Sequence, residues 1–120
     1  MTPHIEKLKY PTGATIVRQG EPADRFYVIC DGEVEVIRER PTERDLSIAR
    51  LGENEYFGEI GLMTSGPRVA TVRALSDVTL LAFDPQAFRQ LIERSESDRQ
   101  RFDAVVRERI EQLLDAGLEG

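Results

Sequence analysis

Two charged residues interrupt an otherwise small and apolar stretch, FGEIGLMTSGPRVATV over residues 57–72: an acid, Glu59, and nine positions later a base, Arg68. The chemistry such a pair offers is recognition. An arginine presents a planar fork of N–H donors that matches two phosphate oxygens at once. A carboxylate beside a bound phosphate would be repelled by it, so Glu59 fits a ligand only by accepting hydrogen bonds from hydroxyls, such as a ribose 2′-hydroxyl. Gly58 and Gly61 bracket a short helical turn starting near Glu59, and helix starts expose unpaired N–H donors that suit an anion. Around the pair, Ile60, Leu62, Val69 and Val72 would exclude water and strengthen both contacts. The plainer reading is a structural ion pair between Glu59 and Arg68, and most such pairs contribute little.

Catalytic readings find no support. The single histidine, His4, stands near a terminus and reads as solvated, and no Ser-His or Cys-His pair is evident. A cupin-type metal enzyme would need a cluster of histidine and carboxylate ligands, which one isolated histidine cannot supply. Cys30, the only cysteine, closes an apolar run and reads as a small buried hydrophobe; alone, it excludes an internal disulfide. With 16 basic and 22 acidic residues the net charge is −6, which disfavours nucleic acid and anionic membrane as partners and requires any anionic ligand to be captured locally. The chain has 120 residues, enough for one domain with its own core, and no apolar run reaches the roughly 20 residues a bilayer needs. The N-terminus lacks the pattern of a signal peptide, so a reducing, cytoplasmic location is expected.

The elements that must hold the pair are mostly strands. Short β-type runs separated by turn signals extend from Ile5 to Phe83. Thr15–Arg18 leads into the turn Gln19-Gly20-Glu21-Pro22, and Phe26–Cys30 leads into Asp31-Gly32, a hairpin signal. Glu33–Ile37 alternates polar and apolar residues, the charged stretch 38–45 broken by Pro41 reads as an exposed tip, and Leu46, Ile48 and Leu51 resume the apolar pattern. Val69–Ala74 and Val78–Phe83 read as two further strands. Beyond Asp84-Pro85, an N-cap followed by proline at the first helical position, the period changes to about 3.6 with Ala87, Phe88, Leu91 and Ile92. A second helix is expected from near Ser97 to near Gly117, with Phe102, Val105, Val106, Ile110, Leu113 and Leu114 on one stripe. The expected architecture is a single domain over residues 1–120, mainly β, with a roll over about 5–84 and C-terminal helices over about 85–116.

FGEIGLMTSGPRVATV resembles the phosphate-binding cassette of cyclic nucleotide-binding domains. Phe57, Gly58, Glu59, Arg68, Ala70, Thr71 and Val72 meet the family pattern. The resemblance continues outward, since KYPTGATIVRQGEPADRFYVICDGEVEVI is similar to the family's first strands and FDPQAFRQLIERS to the helix after its last strand. It implies an eight-stranded, jelly-roll-like β-roll with a short cassette helix and C-terminal helices. It also implies a ligand in place of a cofactor: cAMP, or cGMP as the lesser choice. By the same similarity Glu59 binds the ribose 2′-hydroxyl and Arg68 the cyclic phosphate, backbone N–H groups near Gly58, Ile60, Gly61 and Ala70 complete the cradle, and Val36, Ile48 and Leu51 line the sugar and base pocket. The helix over 97–115 would be a lid, with Arg109 near the position of a base-capping arginine. Members selective for cGMP often carry threonine directly after the cassette arginine; Val69 stands there and offers no hydroxyl, which favours cAMP.

The resemblance thus implies a regulatory sensor acting on an effector domain or protein, either a stand-alone switch or one domain of a longer chain. The other function open to the sequence is a β-roll kept for docking or dimerisation without nucleotide. Likewise the stripe on the last helix fits packing on the roll or a homodimer contact.

Overall fold

The computed structural model describes residues 3–59, 66–95 and 98–115, without the side chains of 99 and 112–115. Its strands are β1 (Ile5–Tyr10), β2 (Thr15–Val17), β3 (Phe26–Asp31), β4 (Val34–Arg38), β5 (Leu46–Leu51), β6 (Tyr56–Phe57), β7 (Thr71–Ala74) and β8 (Val78–Phe83), followed by helices α1 (Pro85–Ser95) and α2 (Arg99–Asp115). The strands form two antiparallel four-stranded sheets, ordered β1-β8-β3-β6 and β2-β7-β4-β5. This is the expected mainly-β roll of eight strands with helices after it.

The nearly unbroken apolar runs of β3 and β8 follow from what lies on their two faces. One face, carrying Phe26, Val28, Leu81 and Phe83, packs with Ala87, Phe88 and Leu91 of α1 and Phe102, Val105, Val106 and Ile110 of α2. The other face, carrying Tyr27, Ile29, Leu80 and Ala82, meets Val34, Phe57, Val72 and Ala74 inside the roll. A strand buried on both faces has no polar alternation to show. The described stripe residues of α2, Phe102, Val105, Val106 and Ile110, are therefore buried against α1 and this face of the roll. Leu113, Leu114 and Gly117 lie outside the residues whose placement is described.

Helix α1 begins where the Asp84-Pro85 signal puts it, with the Ala87 N–H donating to Asp84 Oδ1 at 2.8 Å. For α2 the cap is Asp98, whose Oδ1 accepts from the N–H groups of Gln100 and Arg101 at 2.9 and 3.2 Å. Ser97, the expected start, lies outside the described residues. Strand β6 has only two residues, too few for any periodicity, and is delivered by tertiary bonds: the Asn54 N–H donates to Ile29 O at 2.8 Å and the Ile29 N–H to Glu55 O at 2.9 Å. Gly32, at φ 95° between β3 and β4, has no room for a side chain, because a Cβ there would run into the carbonyl oxygen of Asp77.

Candidate functional site

Arg68 reaches the site through the loop between β2 and β3. Its carbonyl accepts from the Gly20 N–H at 2.9 Å and its N–H donates to Glu21 O at 2.8 Å, so the backbone is gripped on both sides. The side chain is only 5% exposed. Nη2 donates to the carbonyl of Arg25 at 2.7 Å and Nη1 to that of Gly58 at 3.2 Å. Two neutral carbonyls cannot cancel a full charge, and the nearest carboxylate, Asp24, sits 3.6 Å away on a largely solvated side chain. Burial pushes the guanidinium pKa down, with Tyr27 and Asp24 opposing that shift. Arginine nevertheless stays charged. The result is a buried cation whose strongest partner here is an exposed, screened acid.

Gly58 is what lets the guanidinium come so close. Its φ is 95°, and a Cβ there would lie 2.7 Å from Arg68 Nη1 and 3.0 Å from Arg25 O. The backbone turns helical at Glu59, which is half-buried. The plain ion pair between Glu59 and Arg68 is not what forms, since the acid that meets Arg68 is Asp24.

Beside Arg68 opens a cavity of about 610 Å³, within the range of roughly 300 to 1,000 Å³ that small-molecule sites occupy. Of the residues expected from the sequence, Gly58, Glu59, Arg68, Val69, Ala70, Val36 and Leu51 line it. Val69 is 47% exposed, at the mouth. Ile60 and Gly61 lie outside the described residues. Ile48 does not belong to the lining and is 50% exposed. The reason is a bulge: Val36 pairs with Ala49 and Ile37 with Ser47, which leaves Ile48 unpaired across the β4–β5 ladder. Arg109 is also absent from the lining, and α2 faces the cavity with Asp103 and Arg107 instead. These two are one helical turn apart, whereas Arg109 is two residues, some 200° of rotation, beyond Arg107.

Several lining residues escaped the sequence reading: Val17, the run Glu53 to Tyr56, Asp103 and Arg107. Tyr56 and Asp103 are joined, the tyrosine hydroxyl donating to Asp103 Oδ1 at 2.6 Å. That bond ties α2 to the rim of the cavity across 47 residues of sequence. The site therefore combines a buried cation at one end, a carboxylate beside it, an apolar wall and a polar helix over the mouth. Among the described residues no group of histidine, cysteine and carboxylate side chains could hold a metal ion.

The sequence over residues 7–95 matches the cyclic nucleotide-binding domain. The chain belongs to the cyclic nucleotide-binding domain family. A cAMP-dependent protein kinase regulatory subunit from Dictyostelium discoideum is 40% identical over 90 residues, 72% of this chain and 28% of that protein. A CRP-like cAMP-activated global transcriptional regulator from Mycobacterium tuberculosis is 30% identical over 108 residues, 89% of this chain and 48% of that protein. The chain thus spans less than half the length of either relative. In three dimensions the Thermus thermophilus catabolite activator protein superposes with a TM-score of 0.72 at 29% identity, over 90% of this chain and 51% of that one. In this cyclic nucleotide-binding domain, the matched residues include the whole described lining except Asp103 and Arg107, which α2 contributes from beyond the matched segment. No helix among the described residues is long and apolar enough to cross a membrane.

Proposed function

We propose that this domain binds a cyclic mononucleotide, cAMP in preference to cGMP, and signals occupancy through its cassette and helix α2 to an attached effector domain or partner protein. The observation that carries the reading is Arg68, a nearly inaccessible cation on the wall of a nucleotide-sized cavity, held by carbonyls and, among the described residues, paired only with an exposed acid. A cyclic phosphate supplies that missing charge, and does so in a chain whose net charge of −6 would not attract it from a distance. Glu59 then takes the ribose 2′-hydroxyl, backbone groups at Gly58 and Ala70 complete the cradle, and Val36, Leu51 and Val69 form the apolar wall. Asp103 and Arg107 take the lid positions for which Arg109 was expected.

The preference for cAMP is supported by Val69, which has no hydroxyl for a guanine amino group, and by the two relatives that carry cAMP in their names. A role in binding without catalysis accords with a site built from one cation, hydrogen-bond acceptors and apolar walls. The lone thiol, Cys30, accords with a reducing cytoplasm.

Calorimetric titration of protein stripped of bound nucleotide tests the reading, with cAMP and cGMP in parallel. Saturable binding of cAMP, tighter than cGMP and weakened by Glu59→Gln, is the expected outcome; no heat with either nucleotide would refute it. For transmission, amide exchange over residues 99–115 should slow on adding cAMP. A ligand shifts such an equilibrium only by its differential affinity for the two states, so unchanged exchange would remove α2 from the signal.

A further inference from the structure

Tyr27 lies behind Arg68 on β3, away from the cavity lining, and is 2% exposed. Its cross-strand partner is Phe57 on β6, and the two rings stack with centroids 5.0 Å apart and planes 19° apart. Against the same tyrosine ring rest two guanidinium groups, that of Arg68 with its central carbon 5.7 Å from the ring centroid and that of Arg25 at 5.6 Å. Like charges converge on one aromatic surface, and the negative π face of the ring attracts both.

The carbonyls of Arg25 and Gly58 hold Arg68 by its edge, through hydrogen atoms in the guanidinium plane. Edge contacts fix the position of the fork but leave its tilt about the line joining them free. A ring contact fixes that tilt. Burial matters too, because a cation–π contact gains strength where water is excluded. Tyr27 also cannot drift, since Phe57 braces it and the strand around it pairs with β8 through Phe26, Tyr27 and Val28.

We propose that Tyr27 is a positioning residue for ligand binding: its ring, braced by Phe57, sets the orientation in which Arg68 meets the anion. This rests on the function proposed above, with Arg68 as the phosphate anchor. Arg25 shares the ring without lining the cavity: its carbonyl holds Arg68, while its own guanidinium, a like charge, pairs with Glu6 at 3.4 Å.

The test is a series at position 27 read in two ways, by cAMP affinity and by the NMR signal of the Arg68 Nε–H group in ligand-free protein. Tyr27→Leu should weaken cAMP binding roughly tenfold, and Tyr27→Phe, which restores the ring, should recover most of that loss. Replacing Tyr27 by pentafluorophenylalanine keeps the shape but withdraws the negative face, and should weaken binding as leucine does; this arm holds if the leucine variant fails to fold. In an Arg68→Gln background the same steps should change affinity by less than about twofold. The Arg68 Nε–H signal should carry a ring-current shift in the parent and in Tyr27→Phe and lose it in Tyr27→Leu. Undiminished affinity in the fluorinated variant, or equal losses with and without Arg68, would overturn the proposal. A parent that takes up no cAMP would instead refute the binding function, and the Arg68 signal alone would then decide whether Tyr27 orients the cation.

Discussion

Removing one hydroxyl, that of Tyr56, should loosen α2 without disturbing the roll. This hydroxyl donates to Asp103 at 2.6 Å, the length of a charge-assisted O–H···O⁻ bond. Hydrogen bonds to charged groups contribute about 1.5 to 3 kcal/mol. Both partners are only partly buried, so screening brings the expected value to the bottom of that range and below it, about 1 to 1.5 kcal/mol. Tyr56→Phe isolates this term, because the ring contacts with Phe26 at 5.4 Å and Phe102 at 5.2 Å remain available to phenylalanine. If α2 opens by separating from the rim, its opening constant should rise about 5- to 12-fold, the equivalent of that free energy. Amide exchange over residues 102–111 reads the constant directly, with the amides of β3 and β8 as an internal reference. Faster exchange confined to α2 is the expected result. Unchanged exchange would mean that the bond contributes nothing to holding the helix, and equal acceleration in β3 and β8 would mean that it supports the whole fold; either refutes a local latch.

Other perturbations test other parts of the site. Arg68→Ala should weaken cAMP binding by about 2 to 5 kcal/mol, the cost of truncating one partner of a desolvated charge pair, measured by calorimetry; a variant that binds as the parent does would show that the anchor lies elsewhere. Gly58→Ala places a methyl group 2.7 Å from Arg68 Nη1 and forces a side chain into φ 95°; chemical denaturation should report a loss of about 1 to 2 kcal/mol, with weakened cAMP binding because the cation is displaced. Asp77 accepts from the backbone and the hydroxyl of Thr12, which lowers its pKa below the ordinary carboxylate value. A depressed folded-state pKa gives stability that is present above the unfolded value and is lost as pH falls through the folded one. Acid unfolding of Asp77→Asn should accordingly be less steep in that low-pH window than that of the parent, and identical profiles would remove this bond from the acid response.

What could be read from the sequence is what local spacing encodes. Asp84-Pro85 announces α1 because cap and first-turn chemistry act within three residues, and Glu59 and Arg68, expected at one site, both line the cavity. The partners of Arg68 were hidden for the opposite reason. They are backbone carbonyls of Arg25 and Gly58, which every residue possesses, brought together by a loop 43 positions away. The resemblance implies Ile48 as a wall residue, and the bulge that turns it out depends on pairing with β4, which no local pattern around Ile48 encodes. The resemblance points to Arg109 by its distance along the chain, and Arg107 carries no signal in the sequence, because the phase of α2 relative to the roll depends on where Phe102 and Val106 pack.

Strand β6 explains how two readouts can share one site. Its two residues point to opposite sides, as successive strand residues must. Phe57 faces the interior of the roll, where it stacks on Tyr27, while Tyr56 faces the helices, where it packs on Phe102 and bonds to Asp103. Gly58, whose carbonyl holds Arg68, follows immediately. A displacement of the guanidinium toward an anion, as the proposed function would require, would therefore pull on a carbonyl one residue from the Tyr27 stack and two from the α2 contact. Three consecutive residues thus link the buried cation, the aromatic ring that supports it and helix α2, and under the proposed function no long pathway is required. The link has a consequence for energetics. Under the proposed function, a ligand that shifted Gly58 would act next to Tyr56, whose bond to Asp103, at about 1 to 1.5 kcal/mol, is weak enough for one charge-assisted contact to break or reinforce. A much stronger tie would lock α2 whether or not the cavity was filled, and a much weaker one would leave the helix indifferent to the ligand.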